Sequence, residues 1–283
     1  MTALRLKRLT LSDCPLVAGL MNRHYARQRP PEYFRWQYFE TPLAAVSFGA
    51  FDGDCLVGHF GLQRKPMSPS GMIDQVMDII IESDYRGGDL FFHLWEQARL
   101  AIGLSSPAMV LANPSGKRAC LRSLGFLEVA EIESFVLRRE ELVLAHRPSE
   151  PKLRRRLVWE RESFDWRFRR HPLFDYQIHQ GEGAAVVVGK LFRSETQCQG
   201  DIVYFEGLPD SGLWTKACLG LFEHGAEQIN CWAFPNTEER EVMMALGFQL
   251  DSPQNRYFCV KSDDAELLRA ERWSLASADT EHF

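Results

Sequence analysis

From Val76 to Ile81 the chain is apolar and rich in β-branched residues, a strand-type run broken once, by Asp78. A polar turn with Arg86, Gly87 and Gly88 follows. Leu90, Phe91, Leu94, Trp95 and Ala98 then recur at helical spacing until Gly103 stops the pattern. A strand, a glycine turn and a helix in this order form a cradle for phosphate: the helix start leaves backbone N–H groups without partners, and glycine lets the backbone come close to a ligand. The Arg86 guanidinium is suited to the same anion.

The rest of the chain frames this stretch. Leu4, Leu6 and Arg8 predict an opening strand, and Ser12-Asp13 a helix cap before Leu16, Val17, Leu20 and Met21. An aromatic cluster runs from Tyr33 to Phe39. Val46–Phe51 and Cys55–Leu62 predict a hairpin around Asp52-Gly53-Asp54, with a loop from Pro66 to Gly71. Ala108–Leu111 reads as a buried strand ending at an Asn113 loop. Lys117–Leu124 reads as a helix capped by Gly125, and Glu133–Leu137 as the last strand of the half. The proline-bearing stretch 146–151 reads as a linker, and Arg154-Arg155-Arg156 as a solvated charge run.

After the linker the pattern repeats. Trp36-Gln37-Tyr38-Phe39 through Pro42 has a counterpart in Trp166-Arg167-Phe168-Arg169 through Pro172, and Leu124-Gly125-Phe126 in Leu246-Gly247-Phe248. A hairpin around Glu182-Gly183, a strand at Ile202–Phe205, a helix carrying Leu213 to Phe222, a strand at Ile229–Ala233, a Pro235-Asn236 loop and a helix ending at Gly247 keep the same order. The expected division is a first domain at 1–142, a linker at 143–160, a second domain at 161–262 and a tail at 263–283. Leu267, Leu268 and Trp273 predict a short helix in the tail, packed back on a domain.

Composition narrows the function. Of 283 residues, 45% are hydrophobic and 25% charged, the balance of a globular protein with a core. A net charge of -5 provides no electrostatic footprint for nucleic acid. No apolar run reaches the ~18 residues of a membrane span, so no membrane partner is expected. Seven dispersed cysteines without a Cys-x-x-Cys pair predict reduced thiols, a cytoplasmic protein and no metal.

The order of elements resembles the GCN5-related N-acetyltransferase (GNAT) family. The family loop, often written Tyr-Arg-Gly-Lys-Gly, is matched at Tyr85, Arg86 and Gly87 within Asp84-Tyr85-Arg86-Gly87-Gly88-Asp89. Asp84 replaces a Gln or Arg, and Asp89 replaces the second glycine. The Asn113 loop and Leu124-Gly125-Phe126 also match. The second half resembles the fold more faintly; its loop from Gly207 to Gly212 lacks the arginine and reads as degenerate. Phe164-Asp165-Trp166-Arg167-Phe168 resembles a subset associated with surface-polysaccharide biosynthesis.

The resemblance implies an α+β fold of two GNAT-like domains, each a mixed, mostly antiparallel sheet flanked by helices. It implies acetyl-CoA as co-substrate, in the splay between the Ile79–Ile81 strand and the Met109–Leu111 strand, against Ile79, Ile80, Ile81, Arg86, Gly87, Gly88, Asp89, Leu90, Phe91 and Asn113. The acceptor would be a small-molecule amine, an amino sugar being one case. Asp78 and Glu82 bracket the strand end as candidate general bases. Asp78 interrupts an apolar run, where a charge demands a partner or a pocket. His59 reads as structural. Leu121 stands where the family's acid tyrosine is expected, beside Cys120, which leaves water or Tyr38 to protonate the leaving thiolate. The alternative is a GNAT-fold protein that binds a ligand or partner without catalysis.

Overall fold

The computed structural model describes residues 4–104, 106–144, 154–183, 185–206, 211–235, 237–251 and 255–279. The linker motif at 146–151, the loop residues 207–210, Asn236 and the last four residues lie outside these. In chain order the strands are β1 (Arg5–Arg8), β2 (Ala45–Asp52), β3 (Cys55–Ser68), β4 (Met72–Ile81), β5 (Ala108–Ala112), β6 (Leu127–Glu131), β7 (Glu133–Arg138), β8 (Arg156–Leu157), β9 (Tyr176–Gln180), β10 (Val186–Arg193), β11 (Cys198–Glu206), β12 (Gln228–Ala233), β13 (Gln249–Leu250) and β14 (Tyr257–Lys261). The helices are α1 (Cys14–Asn22), α2 (Pro31–Tyr38), α3 (Leu90–Ile102), α4 (Pro114–Ala119), α5 (Arg161–Phe168), α6 (Ser211–Glu223) and α7 (Glu238–Ala245).

One sheet runs β1-β2-β3-β4-β5-β14-β6, and the other β13-β7-β12-β11-β10-β9. Both are mixed: among the described pairs, β4 with β5 and β11 with β12 are parallel and the other ladders named here are antiparallel. Each sheet borrows a strand from the other half of the sequence. β7 ends the first half yet pairs with β12; β14 ends the second half yet lies between β5 and β6. The compact units are therefore not contiguous. The first comprises Met1–Glu128, Val158–Leu173 and Cys259–Asp263; the second comprises Val129–Leu157, Phe174–Phe258 and Asp264–Phe283. This differs from the contiguous division expected from sequence. Hydrophobic alternation specifies which faces of a strand are buried, not which neighbour it pairs with.

In the first unit α3 and α2 cover opposite faces of the sheet. Leu90, Phe91, Leu94, Trp95 and Ala98 form the buried face of α3, and Phe60 of β3 packs on Phe91 and Trp95 with ring centroids 5.8 and 5.9 Å apart. The neighbouring residue His59 points the other way and meets Tyr38 of α2. Gly103 ends α3 at φ +97, a conformation that costs a side-chain-bearing residue more than glycine. The aromatic cluster on α2 is core: Tyr33, Phe34, Trp36 and Tyr38 are buried. Trp36 stacks on Trp166 of α5 at 4.3 Å. Each indole N–H donates to the other's backbone carbonyl, at 3.3 and 3.2 Å. The repeated tryptophan seen in the sequence thus pairs with its own copy.

Three expectations change. β3 continues through the predicted loop to Ser68, because Lys65 and Pro66 stay in register with Ile73 and Met72. The arginine run is solvated only in part: the Arg154 side chain is 6% exposed, Arg155 and Arg156 stay partly exposed, and the three ion-pair with Glu239, Asp264 and Glu206. The tail forms short 3-10 turns rather than a helix, with Leu267 and Trp273 buried. In the second unit α6 carries Leu213, Trp214, Ala217, Cys218, Leu221 and Phe222 into a core with Phe135 and Leu137 of β7.

Candidate functional site

The site is built on β4. His59 pairs with Ile80 and Gly61 with Met77, so Asp78 and Ile79 together face Phe60, and β4 carries one extra residue there. Asp78 takes φ +47, a left-handed conformation uncommon for a residue with a side chain. Its side chain is 1% exposed and accepts three hydrogen bonds. Arg29 Nη1 donates to Oδ1 at 3.1 Å; Gln37 Nε2 and Tyr38 Oη donate to Oδ2 at 2.8 and 2.9 Å. Arg29 is aimed by Asn22, the last residue of α1, which brackets its peptide: Oδ1 accepts from the Arg29 N–H at 2.8 Å, and Nδ2 donates to its carbonyl at 3.0 Å. Such a buried charge is tolerated because it is paired and fully hydrogen-bonded.

The Asp78 carbonyl has its own partner. His59 Nδ1 lies 2.6 Å from it, and His59 Nε2 lies 2.8 Å from Ser47 Oγ. A carbonyl only accepts, so Nδ1 carries the proton. Burial pushes the His59 pKa below its ordinary value, against the opposing pull of Asp78. In the neutral ring Nε2 is then the acceptor and the Ser47 hydroxyl the donor.

Beyond the bulge β4 parts from β5. The parallel ladder holds only Asp74 opposite Ala108 and Gln75 opposite Met109; from Val76 on the two strands have no paired residues. At the apex Asp74, fully buried, ion-pairs with Arg64 at 2.7 Å and with Arg99 of α3. Ile79 and Ile81 are partly exposed along the parted edge, and Ile80 is buried.

At the strand end Glu82 bonds Arg23 Nε at 2.9 Å and His24 Nε2 at 2.8 Å. The Arg23 contact foremost, and His24 after it, hold its carboxyl below the usual range against the effect of burial. A carboxylate so held is a weak base. The glycine turn is exposed. Gly87 has φ +88, and neither Gly87 nor Gly88 has any atom within 4 Å of where a side chain would begin, so bare backbone faces open space. The exposed Arg86 is tied to the strand end through Nε, which donates to the Ile81 carbonyl at 2.7 Å. Asp89 takes the N-cap position of α3 without a side-chain capping bond. Leu90 and Phe91 start the helix with buried side chains. Tyr85 is anchored to Asp52 at 2.7 Å. The turn fits a pyrophosphate through backbone N–H groups and a guanidinium; the exposed Asp84 and Asp89 carboxylates are the opposing charges.

Asn113 spends its side chain locally: Oδ1 accepts from the Gly116 N–H at 2.8 Å and caps α4. α4 continues as a π-turn through Cys120–Leu124 to Gly125 at φ +71. Burial pushes the buried Cys120 thiol up to about 12, which removes it as a nucleophile near neutral pH. The structure thus gathers Asp78, His59 and Tyr38 around the bulge, and sets Glu82, Arg86, Gly87, Gly88 and Asp89 along the strand end and turn. Asn113 lies at the start of α4, after β5. The sequence did not single out Arg29, Gln37, Ser47, Arg23 or His24 as site residues. The signal available for the first two was the charge of Asp78 itself, which required donors.

No family model matches the sequence, and no curated protein matches it. Solved structures match its fold. A conserved protein of unknown function from Enterococcus faecalis V583, described as a probable N-acyltransferase, aligns with a TM-score of 0.62 at 11% identity, over 92% of this chain and 72% of its own. A putative acetyltransferase from Pyrococcus horikoshii aligns with a TM-score of 0.57 at 13% identity, over 98% and 96%. A tandem GNAT protein from the clavulanic acid biosynthesis pathway aligns with a TM-score of 0.54 at 13% identity, over 91% and 98%. The fold is that of tandem GNAT proteins: two GNAT-like α+β domains in one chain.

Proposed function

We propose that the first unit is an acyl-CoA-dependent N-acyltransferase that moves an acetyl group from acetyl-CoA to a small-molecule amine, an amino sugar being one case. The observation that carries this reading is the bulge at Asp78–Ile79 set where β4 has parted from β5, one turn before an open glycine loop. The parted edge would take the acyl arm beside Ile79 and Ile81. Arg86, Gly87, Gly88 and the start of α3 would take the pyrophosphate.

In the reaction the amine nitrogen bonds to the thioester carbon and the carbon–sulfur bond breaks. A backbone N–H at the bulge stabilises the charge gathering on the carbonyl oxygen. The amine proton goes to a base. Both candidate carboxylates are ion-paired, Asp78 with Arg29 and Glu82 with Arg23; we assign the role to Asp78 because it stands at the bulge itself, whereas Glu82 lies beyond the strand end with its carboxyl held low. Asp78 is 3% exposed, so a water would carry the proton to it. The Tyr38 hydroxyl, bonded to Asp78 at 2.9 Å, would serve the leaving thiolate. A second reading, binding without turnover, is favoured by Leu121 at the position expected for an acid tyrosine. Release of free thiol from acetyl-CoA in the presence of hexosamines separates the two: catalysis requires it and mere binding does not produce it.

The test of the ligand site is Arg86→Ala. The side chain is exposed, so the melting temperature should hold. Loss of a charge-assisted contact worth about 1.5 kcal/mol should weaken acetyl-CoA binding about tenfold. Unchanged affinity would contradict the site.

A further inference from the structure

The chain contains an internal control for the polar cluster at the bulge. In the second sheet Val188 pairs with Tyr204 and Gly189 with Ile202, so β11 also carries one extra residue, Val203. That bulge also lies beyond a short parallel ladder, between β11 and β12. Its residues are Val188, Gly189, Ile202 and Val203, with no carboxylate and no imidazole among them. The buried Lys190–Asp201 ion pair lies one register position away, but the bulged residues themselves are apolar or glycine: a GNAT-like sheet of this chain forms its bulge without a charge on the bulged residues. The first sheet nonetheless buries Asp78, Arg29 and His59 at its own, which costs desolvation that apolar packing avoids. The cluster answers a need other than folding.

The peptide between Asp78 and Ile79 shows what that need is. Its carbonyl receives the His59 Nδ1 proton across 2.6 Å. A trans peptide is planar, with its N–H directed opposite to its C=O, so the Ile79 N–H points away from His59. Ile79 shares Phe60 with Asp78 and has no Cα partner of its own on β3, and the β5 ladder has already ended at Gln75. A bond accepted at the oxygen of an amide strengthens the donor at its nitrogen, by roughly 10–30% per bond. Arg29, Gln37 and Tyr38 hold the Asp78 side chain and with it the left-handed turn that orients this peptide.

We propose that His59 is a positioning residue that polarises the Asp78–Ile79 peptide and so makes the Ile79 N–H the donor to the thioester oxygen. This rests on the acyl-CoA reading above for its ligand, but the state of the peptide is measurable without one. His59 acts as a neutral ring and takes no proton from substrate. Ser47 keeps it in the required tautomer by donating to Nε2.

The experiment compares wild type, His59→Phe and His59→Asn, whose Nδ2 places a donor close to the position of Nδ1. In the free proteins the Ile79 amide 15N resonance should move upfield in His59→Phe and return toward wild type in His59→Asn. With acetyl-CoA labelled by 13C at the thioester carbonyl, the bound infrared band should lie below that of free acetyl-CoA in wild type. It should move back toward the free value in His59→Phe, and part of the shift should return in His59→Asn. Equal amide shifts and equal bands in folded wild type and His59→Phe overturn the proposal while leaving acyl-CoA binding intact. Failure of wild type to bind acetyl-CoA instead overturns the ligand reading, and this proposal with it. If His59→Phe does not fold, the wild-type band itself decides: a band at the free value overturns the proposal.

Discussion

Gly61→Ala is the sharpest perturbation of the bulge cluster, because it adds one methyl group and removes nothing directly. Gly61 lies beneath the Tyr38 ring. A Cβ there would sit 2.7 Å from Tyr38 Cζ and 2.8 Å from Cε1, and closer still to the hydroxyl. The ring is 5% exposed and stands edge-on to His59, so it has no open space to enter. Two costs follow. Overpacking of a tight core costs about 1–3 kcal/mol. Pulling Tyr38 Oη from the Asp78 carboxylate, now 2.9 Å away, removes a hydrogen bond to a charged group worth about 1.5–3 kcal/mol. The expected loss is about 2.5–6 kcal/mol. Tyr38→Phe alone should lose only the hydrogen-bond share. In Gly61→Ala/Tyr38→Phe the atom that clashes most is gone, so the double variant should lose less than the sum of the singles. Urea unfolding, followed by far-ultraviolet circular dichroism and tryptophan fluorescence, measures all three. A Gly61→Ala variant within about 1 kcal/mol of wild type, or strictly additive losses, would refute the packing of Tyr38 over Gly61 and onto Asp78.

Other outcomes follow from the same geometry. Asp78→Asn takes the counter-charge from Arg29 and should cost about 3–5 kcal/mol of stability; it should also lower turnover more than acetyl-CoA affinity, and equal loss of both would assign Asp78 a structural role only. Glu82, whose folded pKa lies below its ordinary 4.5, adds stability above about pH 4.5 that is lost as the pH falls through the folded value. Glu82→Gln should therefore flatten the fall in melting temperature between pH 5 and pH 3, and an unchanged slope would deny the ion pair with Arg23.

Much of the frame is legible in the sequence, and what is not has a physical cause. The strand–turn–helix from β4 to α3 follows from spacing alone, since each period selects one face. The repeat of Trp36 at Trp166 was visible, but not that the two rings stack and exchange hydrogen bonds, which depends on how distant segments meet. The exchange of β7 and β14 between sheets was hidden because a strand's pattern records its two faces and not its neighbours. Asp78 announced itself by breaking an apolar run. Its donors did not, because Arg29 lies in a polar loop and Gln37 among aromatic residues, where neither departs from expectation. The extra residue in β4 was invisible, since an apolar run of isoleucines continues through it without a break in pattern. Glu82 looked like an available carboxylate because its partners, Arg23 and His24, lie at the end of α1, far away in the chain.

The central claim is that the parted edge of β4 and the glycine turn after it form an acyl-CoA site. Calorimetric titration of the whole chain with acetyl-CoA and with free coenzyme A tests it most directly. The account predicts micromolar binding at one site per chain, weakened by Arg86→Ala. No binding at millimolar ligand would contradict it and leave the glycine turn a connection between β4 and α3.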